Sequence, residues 1–244
     1  MHIEIVSHVW RYARLFTYQA GSLILHPPST VDVTLTVVYA VEDGPTADRL
    51  DQLDRLAWPA NVRLNPLALS PGRVMRRAIG RNLAALATAA DLVWFADCDM
   101  VFGPGCPDAL ARRTARHPGR VLFYPRPVHG TAGPEAARLL AAATRCAGPL
   151  SASEAALTPL RYNRAIGGVQ IVRGDIAREA GYLPGHVCYQ RPARRWWRTF
   201  EDVAYRKALR ERYGTAGVGC PIGLPRLMRI RHSQAGRQVE GLQL

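Results

Sequence analysis

The sequence predicts an α/β protein with a central, mostly parallel sheet flanked by helices. Three observations predict it. Short apolar runs at Ile3–Val6, Val31–Val41, Val62–Leu64 and Leu92–Ala96 alternate with helix-like stretches, the rhythm of strand and crossover helix. The run Leu92–Ala96 is unbroken, as a strand buried on both faces requires. It ends in two carboxylates, Asp97 and Asp99, and ligands of open α/β sheets bind just beyond the carboxyl ends of strands.

The elements follow in order. Ile3–Val6 reads as the first strand. Residues 11–25 carry Tyr12, Leu15, Phe16, Leu23 and Leu25 on an incomplete apolar helical face, stopped by His26-Pro27-Pro28. Val31–Val41 alternates Val, Thr, Leu and Tyr and is the clearest strand, ending in the turn Glu42-Asp43-Gly44-Pro45. A helix from Thr46 to Leu56, a short strand Val62–Leu64 and one helix from Arg73 to Ala89 precede the strand Leu92–Ala96. The second half is less regular. Helices are expected from Cys106 to Arg116, over Pro134–Cys146, over 174–181 and from Glu201 to Tyr213, with strands at Val121–Tyr124 and after Gly167-Gly168. The Pro/Ser/Ala-rich stretch 147–160 reads as a loop, and residues 184–198 as another, rich in Arg, Pro and Trp.

No repeat or linker interrupts the chain. It is expected to form one domain over 1–244, with a nucleotide half at about 1–103 and an acceptor half at about 104–235. Hydrophobic residues make up 48%, enough for a globular core, and no run approaches the roughly 20 apolar residues of a membrane span. Residues 1–5 show no basic-then-apolar leader, and five cysteines without metal spacing fit a reducing compartment, so a cytoplasmic location is expected. The net charge of +13 is carried almost wholly by arginine, Lys207 being the only lysine. Such a charge implies an anionic partner: a nucleotide diphosphate, an anionic membrane surface at the inner face, or nucleic acid.

Asp97 and Asp99 are one residue apart. If the chain turns between them, both can address one hard cation such as Mn²⁺ or Mg²⁺, or a diphosphate through it. Taken with four other stretches, this pair resembles the GT-A glycosyltransferases of the broad family 2 type. Glu42-Asp43-Gly44 is similar to their acidic turn that reads base and ribose. Gly80-Arg81-Asn82-Leu83 resembles the Ala-Arg-Asn stretch before the Asp-x-Asp strand. Gly167-Gly168-Val169 resembles their acceptor-side Gly-Gly segment, and Phe200-Glu201-Asp202 the Glu-Asp motif that carries the base of inverting members. The tail Arg229-Ile230-Arg231-His232-Ser233 is similar to the Met-Ile-Arg-His-Ser segment of beta-1,4-galactosyltransferases, whose His and Met help bind metal; here Arg229 stands at the Met position.

The resemblance implies a Rossmann-like GT-A fold and an inverting, metal-dependent transfer of a sugar from a nucleotide diphosphate, UDP favoured. The acceptor would be a hydroxyl on a bacterial saccharide or glycolipid. Asp202 is expected as the general base. Asp99, His232 and Asp97 are expected to hold Mn²⁺ (or Mg²⁺). Asp43, Arg81 and Asp97 are expected to bind the donor. Gly167, Gly168, Trp196, Trp197 and Glu201 are expected to face the acceptor. Arg76 and Arg77 read as solvated helix residues.

Two other readings share some of these features. A nucleotidyltransferase also sets carboxylates at a strand end, but residues 3–12 lack its Gly-rich loop. A non-catalytic nucleotide- or nucleic-acid-binding protein would explain the charge, yet no helix-turn-helix, zinc module or aromatic RNA-binding strand is visible.

Overall fold

A computed structural model describes residues 1–146, 148–152, 157–195 and 199–232. The first half follows the expected alternation: β1 (His2–His8), α1 (Ala13–Leu25), β2 (Asp32–Tyr39), α2 (Gly44–Asp54), β3 (Val62–Ala68), α3 (Pro71–Val74), α4 (Arg77–Ala87), β4 (Leu92–Asp97). Then come β5 (Met100–Phe102), α5 (Cys106–Ala115), β6 (Leu122–Pro125), β7 (Val128–Thr131), α6 (Gly133–Arg145) and β8 (Leu157–Leu160). The remainder is β9 (Gln170–Arg173), α7 (Gly174–Ala180), α8 (Val187–Gln190), α9 (Glu201–Tyr213), β10 (Val218–Ile222) and β11 (Leu227–Arg229).

Seven strands form the central sheet in the order β10-β6-β9-β4-β1-β2-β3. Only β9 runs against its neighbours β4 and β6. The carboxyl ends of β1, β2, β4, β6 and β10 therefore share one edge. Strand alternation gives the sheet two apolar faces. Ile3, Ile5, Leu35 and Trp94 join one core with Phe16 of α1, Leu50 of α2, Leu110 of α5 and Leu139 of α6. Val6, Val38 and Phe95 join the other with Val74 of α3, Ala84 of α4, Ala177 of α7 and Tyr205 of α9. Period-two side chains buried on both faces are what a mostly parallel, helix-covered sheet demands.

Two expectations are corrected. The helix drawn from Arg73 to Ala89 is two helices, because Arg76 takes a non-helical conformation (φ −105°, ψ 86°) before α4 begins at Arg77. The stretch 147–160, read as loop, ends in β8, which pairs antiparallel with β7 from Val128–Leu160 to Thr131–Leu157. Pro159 masked it: proline lacks the ladder donor and is confined to edges, and β8 is the edge of a second sheet, β5-β11-β7-β8. That small sheet was not foreseen. Among the described residues no helix is long and apolar enough to cross a membrane.

Candidate active site

The site lies along the shared edge of the central sheet. β4 ends at Asp97, the chain turns through Cys98-Asp99, and β5 starts at once. The turn does what the spacing required and brings both carboxylates to one side. Three neighbours hold it there. Gln19 of α1 donates to the Asp97 carbonyl at 2.9 Å, Ile230 N–H donates to the Asp99 carbonyl at 2.8 Å, and Gly168 packs against Asp97. A Cβ at Gly168 would stand 2.5 Å from Asp97 N and 2.7 Å from its Cγ. Gly167 beside it has φ +47°, a left-handed conformation that glycine takes without steric cost. These two glycines, expected at the acceptor, bring backbone up to Asp97 instead.

Among the described residues, three arginines face Asp97. Arg77 Nη1 lies 3.1 Å from Oδ1, Arg81 Nη2 lies 3.7 Å from Oδ1, and Arg229 Nη2 lies 3.4 Å from Oδ2. Arg77, read as solvated, was the main omission. It also donates from Nε to Glu201 Oε1 at 3.0 Å, tying the strand end to the start of α9. The signal was present in its spacing: Arg77 and Arg81 are i, i+4 and share a helix face. The facing Asp97 and Glu201 outweigh the burial of Arg77 and hold it charged, its pKa above the ordinary value.

Arg81, expected on the diphosphate, has no exposed surface. It donates to Tyr182 Oη at 2.9 Å and to the Gly167 carbonyl at 3.3 Å, and braces Asp97 from beneath. Tyr182 passes the link on to Gln170 Oε1 at 2.8 Å, and Gln170 Nε2 donates to the Asp202 carbonyl at 3.3 Å. Burial pushes the Tyr182 phenol up to about 12, so it stays a donor. His8, the register neighbour of Asp97 on β1, has both ring nitrogens buried without partners among the described residues. Burial first, then Arg81 and Arg77, hold its pKa well below the usual histidine value, so it sits there neutral.

α9 starts with Glu201 and Asp202, as its acidic first turn suggested. Glu201, expected to meet acceptor hydroxyls, is 1% exposed and turned inward onto Arg77. Asp202 is the more open of the two. Its Oδ2 accepts from Gly167 N–H at 3.3 Å and faces Arg206 Nη1 at 3.5 Å, with 17% of the side chain exposed. The loop before it docks on α3, where Ala193 N–H donates to the Gly72 carbonyl at 2.9 Å. Trp196 and Trp197 lie outside the described residues.

Asp99 is nearly enclosed. Its Oδ2 meets Arg229 Nε at 2.9 Å and His232 Nε2 at 3.4 Å, while Oδ1 is buried without a partner among the described residues. His232, expected as a metal ligand, thus lies beside Asp99. Its ring packs edge-on against Tyr12, centroids 4.9 Å apart. A divalent ion was expected on Asp97, Asp99 and His232. In this arrangement three of the four carboxylate oxygens are turned to guanidinium groups, and the described residues hold no cluster of three or more His, Cys, Asp or Glu that could bind a metal. The donor set as it stands does not fit such an ion.

Beside Tyr12, a cavity of about 650 Å³ opens between α1 and α2, lined by Trp10, Arg11, Arg14, Asp43, Asp48 and Arg49 among others. Asp43, expected at the base or ribose, is buried in its wall. Its Oδ2 accepts from Arg11 N–H at 2.5 Å and Thr46 Oγ1 at 2.7 Å, fixing the β1–α1 loop to the start of α2.

No protein-family model matches the sequence, and no curated protein matches it. Solved structures do resemble the fold. Residues 1–349 of S. aureus TarS superpose with a TM-score of 0.59 at 11% identity, covering 94% of this chain and 60% of that one. The same protein in complex with UDP-GlcNAc gives 0.59 at 10% identity, covering 99% and 62%. Glucosyl-3-phosphoglycerate synthase from Mycobacterium tuberculosis, in complex with phosphoglyceric acid, gives 0.52 at 15% identity, covering 96% and 74%. The chain thus spans about three fifths of the TarS structures it matches. These likenesses show the fold, which is the GT-A-like fold of glycosyltransferases. The likeness of the tail to beta-1,4-galactosyltransferases rests on its residues alone.

Proposed function

We propose that this chain is a glycosyltransferase that moves a sugar from a nucleotide diphosphate, UDP favoured, to an acceptor hydroxyl with inversion. One observation carries the reading. Asp97 and Asp99 sit on a turn at a parallel strand's carboxyl end, and Arg77 joins that turn to the Glu201-Asp202 start of α9. The geometry supports two roles on opposite sides of one place: a charged edge for a leaving diphosphate, and a part-exposed carboxylate for the attacking hydroxyl. The fold supports it too, since a structure of that fold binds UDP-GlcNAc.

In this reading Trp10, Arg11 and Arg14 form the cavity that takes the nucleoside. Tyr12 and His232 then lead from it to Asp99. Arg77 is the part-exposed guanidinium able to fork onto phosphate oxygens. Asp202 accepts the proton of the acceptor hydroxyl. Gly167 N–H and Arg206 orient it. Trp196 and Trp197 remain proposed acceptor contacts, on a bacterial saccharide or glycolipid.

A thermal-shift panel of UDP-, GDP- and TDP-sugars tests the reading, because a ligand that binds the folded state raises the melting temperature by mass action. A UDP-sugar, UDP-GlcNAc among them, should stabilise the protein most. If no nucleotide sugar shifts the transition, the chain is not a transferase of this kind.

A further inference from the structure

The Asp97–Cys98–Asp99 turn gathers two carboxylates on one cation, and that cation belongs to the chain. We propose that the Arg229 guanidinium takes the place a divalent metal ion takes in the enzymes this site resembles, so that donor binding and transfer need no metal. The inference rests on the transferase reading above.

Arg229 is fixed by strand pairing. β11 runs antiparallel to β5 and sets Arg229 opposite Met100, and the next residue, Ile230, bonds to the Asp99 carbonyl. From that position Nε donates to Asp99 Oδ2 at 2.9 Å, Nη1 to Tyr162 Oη at 2.9 Å, and Nη2 reaches Asp97 Oδ2 at 3.4 Å. A guanidinium carries five donors in a rigid plane, so one N–H on each Nη is left. The side chain is 28% exposed, and in this proposal those two donors go to phosphate oxygens. Burial works against the charge, but Asp99 and Asp97 outweigh it and push the Arg229 pKa up.

Among the described residues, Asp97, Asp99 and Glu201 face Arg77, Arg81 and Arg229, three carboxylates against three guanidinium groups. A divalent ion neutralises a bare Asp-x-Asp pair; here guanidinium groups already offset the pair before any ligand arrives. An incoming ion would have to strip Arg229 from Asp99 Oδ2 and Asp97 Oδ2, since among the described residues Asp99 Oδ1 alone of the four carboxylate oxygens faces no guanidinium. A hard cation here would fill the rest of its shell with water and substrate phosphate, but it needs carboxylate oxygens to hold it, and three of the four already face Arg77, Arg81 or Arg229.

Two measurements test this on the purified protein, wild type and the variants Arg229→Met and Arg229→Gln. The first is electron paramagnetic resonance of Mn²⁺ with and without UDP. Against the same solutions without protein, since UDP itself chelates Mn²⁺, the wild type should leave the free-ion signal unchanged, and both variants should lower it by binding the ion. The second is calorimetric titration of UDP in EDTA and in Mn²⁺. Wild-type affinity should agree within about threefold between the two, whereas the variants should lose about tenfold or more in EDTA and recover in Mn²⁺. Tight Mn²⁺ binding by the wild type, or a loss of about tenfold or more in its UDP affinity in EDTA, overturns the proposal. So does a pair of folded variants that bind Mn²⁺ no better than the wild type. If neither UDP, GDP nor TDP binds, the transferase reading fails, and the Mn²⁺ measurement still decides whether Arg229 fills the cation's place. The wild-type arms decide even if a variant does not fold.

Discussion

Asp99 and Asp202 are aspartates on one edge of one sheet, and their surroundings assign them different work. Asp99 is 3% exposed and committed to Arg229 and His232. Asp202 keeps part of its carboxylate open, with long contacts from Gly167 N–H at 3.3 Å and Arg206 at 3.5 Å. Replacing Asp202 by Asn keeps the shape and removes the proton acceptor. Transfer by Asp202→Asn should fall by about 10² or more in kcat, with UDP affinity and melting temperature nearly unchanged. A kcat close to wild type would move the base elsewhere. Glu201 is then a poor substitute, because it is buried against Arg77.

At the scale of elements, the meeting of β4 with the 167–168 turn decides whether Asp97 is held. Both Asp97 and its partner Gly168 belong to tightly packed backbone, so neither can yield cheaply. Gly168→Ala should cost about 1–3 kcal/mol through overpacking. It should also displace Asp97, so that UDP affinity weakens along with the melting temperature. Gly133→Ala at the start of α6, where an added Cβ meets nothing within 4 Å, is the control and should change neither. Calorimetry and thermal melts on the two variants check this, and a Gly168→Ala protein with wild-type UDP affinity would show that Asp97 does not need that support. The break between α3 and α4 belongs to this scale as well. It starts α4 at Arg77, so that Arg77 and Arg81 lie one turn apart on the face turned to Asp97.

For the whole molecule, the charge of +13 is far larger than the site accounts for, since the site's own arginines are matched by carboxylates. The excess therefore lies outside it, and we propose that it serves peripheral contact with an anionic membrane that presents the acceptor. Sedimentation with vesicles of anionic and of zwitterionic phospholipid tests this. Binding should favour the anionic vesicles and weaken steeply as salt shortens the Debye length from about 10 Å at 0.1 M. Equal, salt-insensitive partition would remove the membrane role. The second sheet is the other property of the whole. By threading β11 between β5 and β7, it carries the end of the described chain back to the Asp-x-Asp turn.

Sequence alone determined the α/β class, the order of most elements and the place of the Asp97-Asp99 turn. Each of these rests on local signals: period-two or unbroken apolar runs for strands, Pro and Gly at their ends, acidic residues opening α9. It also singled out His232 and Asp202, through motifs whose order along the chain survives in the fold. Tertiary structure alone decided what faces what. Arg77 reads as a solvated helix residue until α4 packs its Arg77–Arg81 face on the end of β4. Arg81 and Glu201 read as ligand contacts until burial turns them into braces. Arg229 reads as a replaced metal ligand position until β11 pairs with β5 and lays its guanidinium across both aspartates. The physical reason is the same each time: a side chain's charge is written in the sequence, but its partner, lying 16 to 132 residues away in these pairs, is chosen by packing.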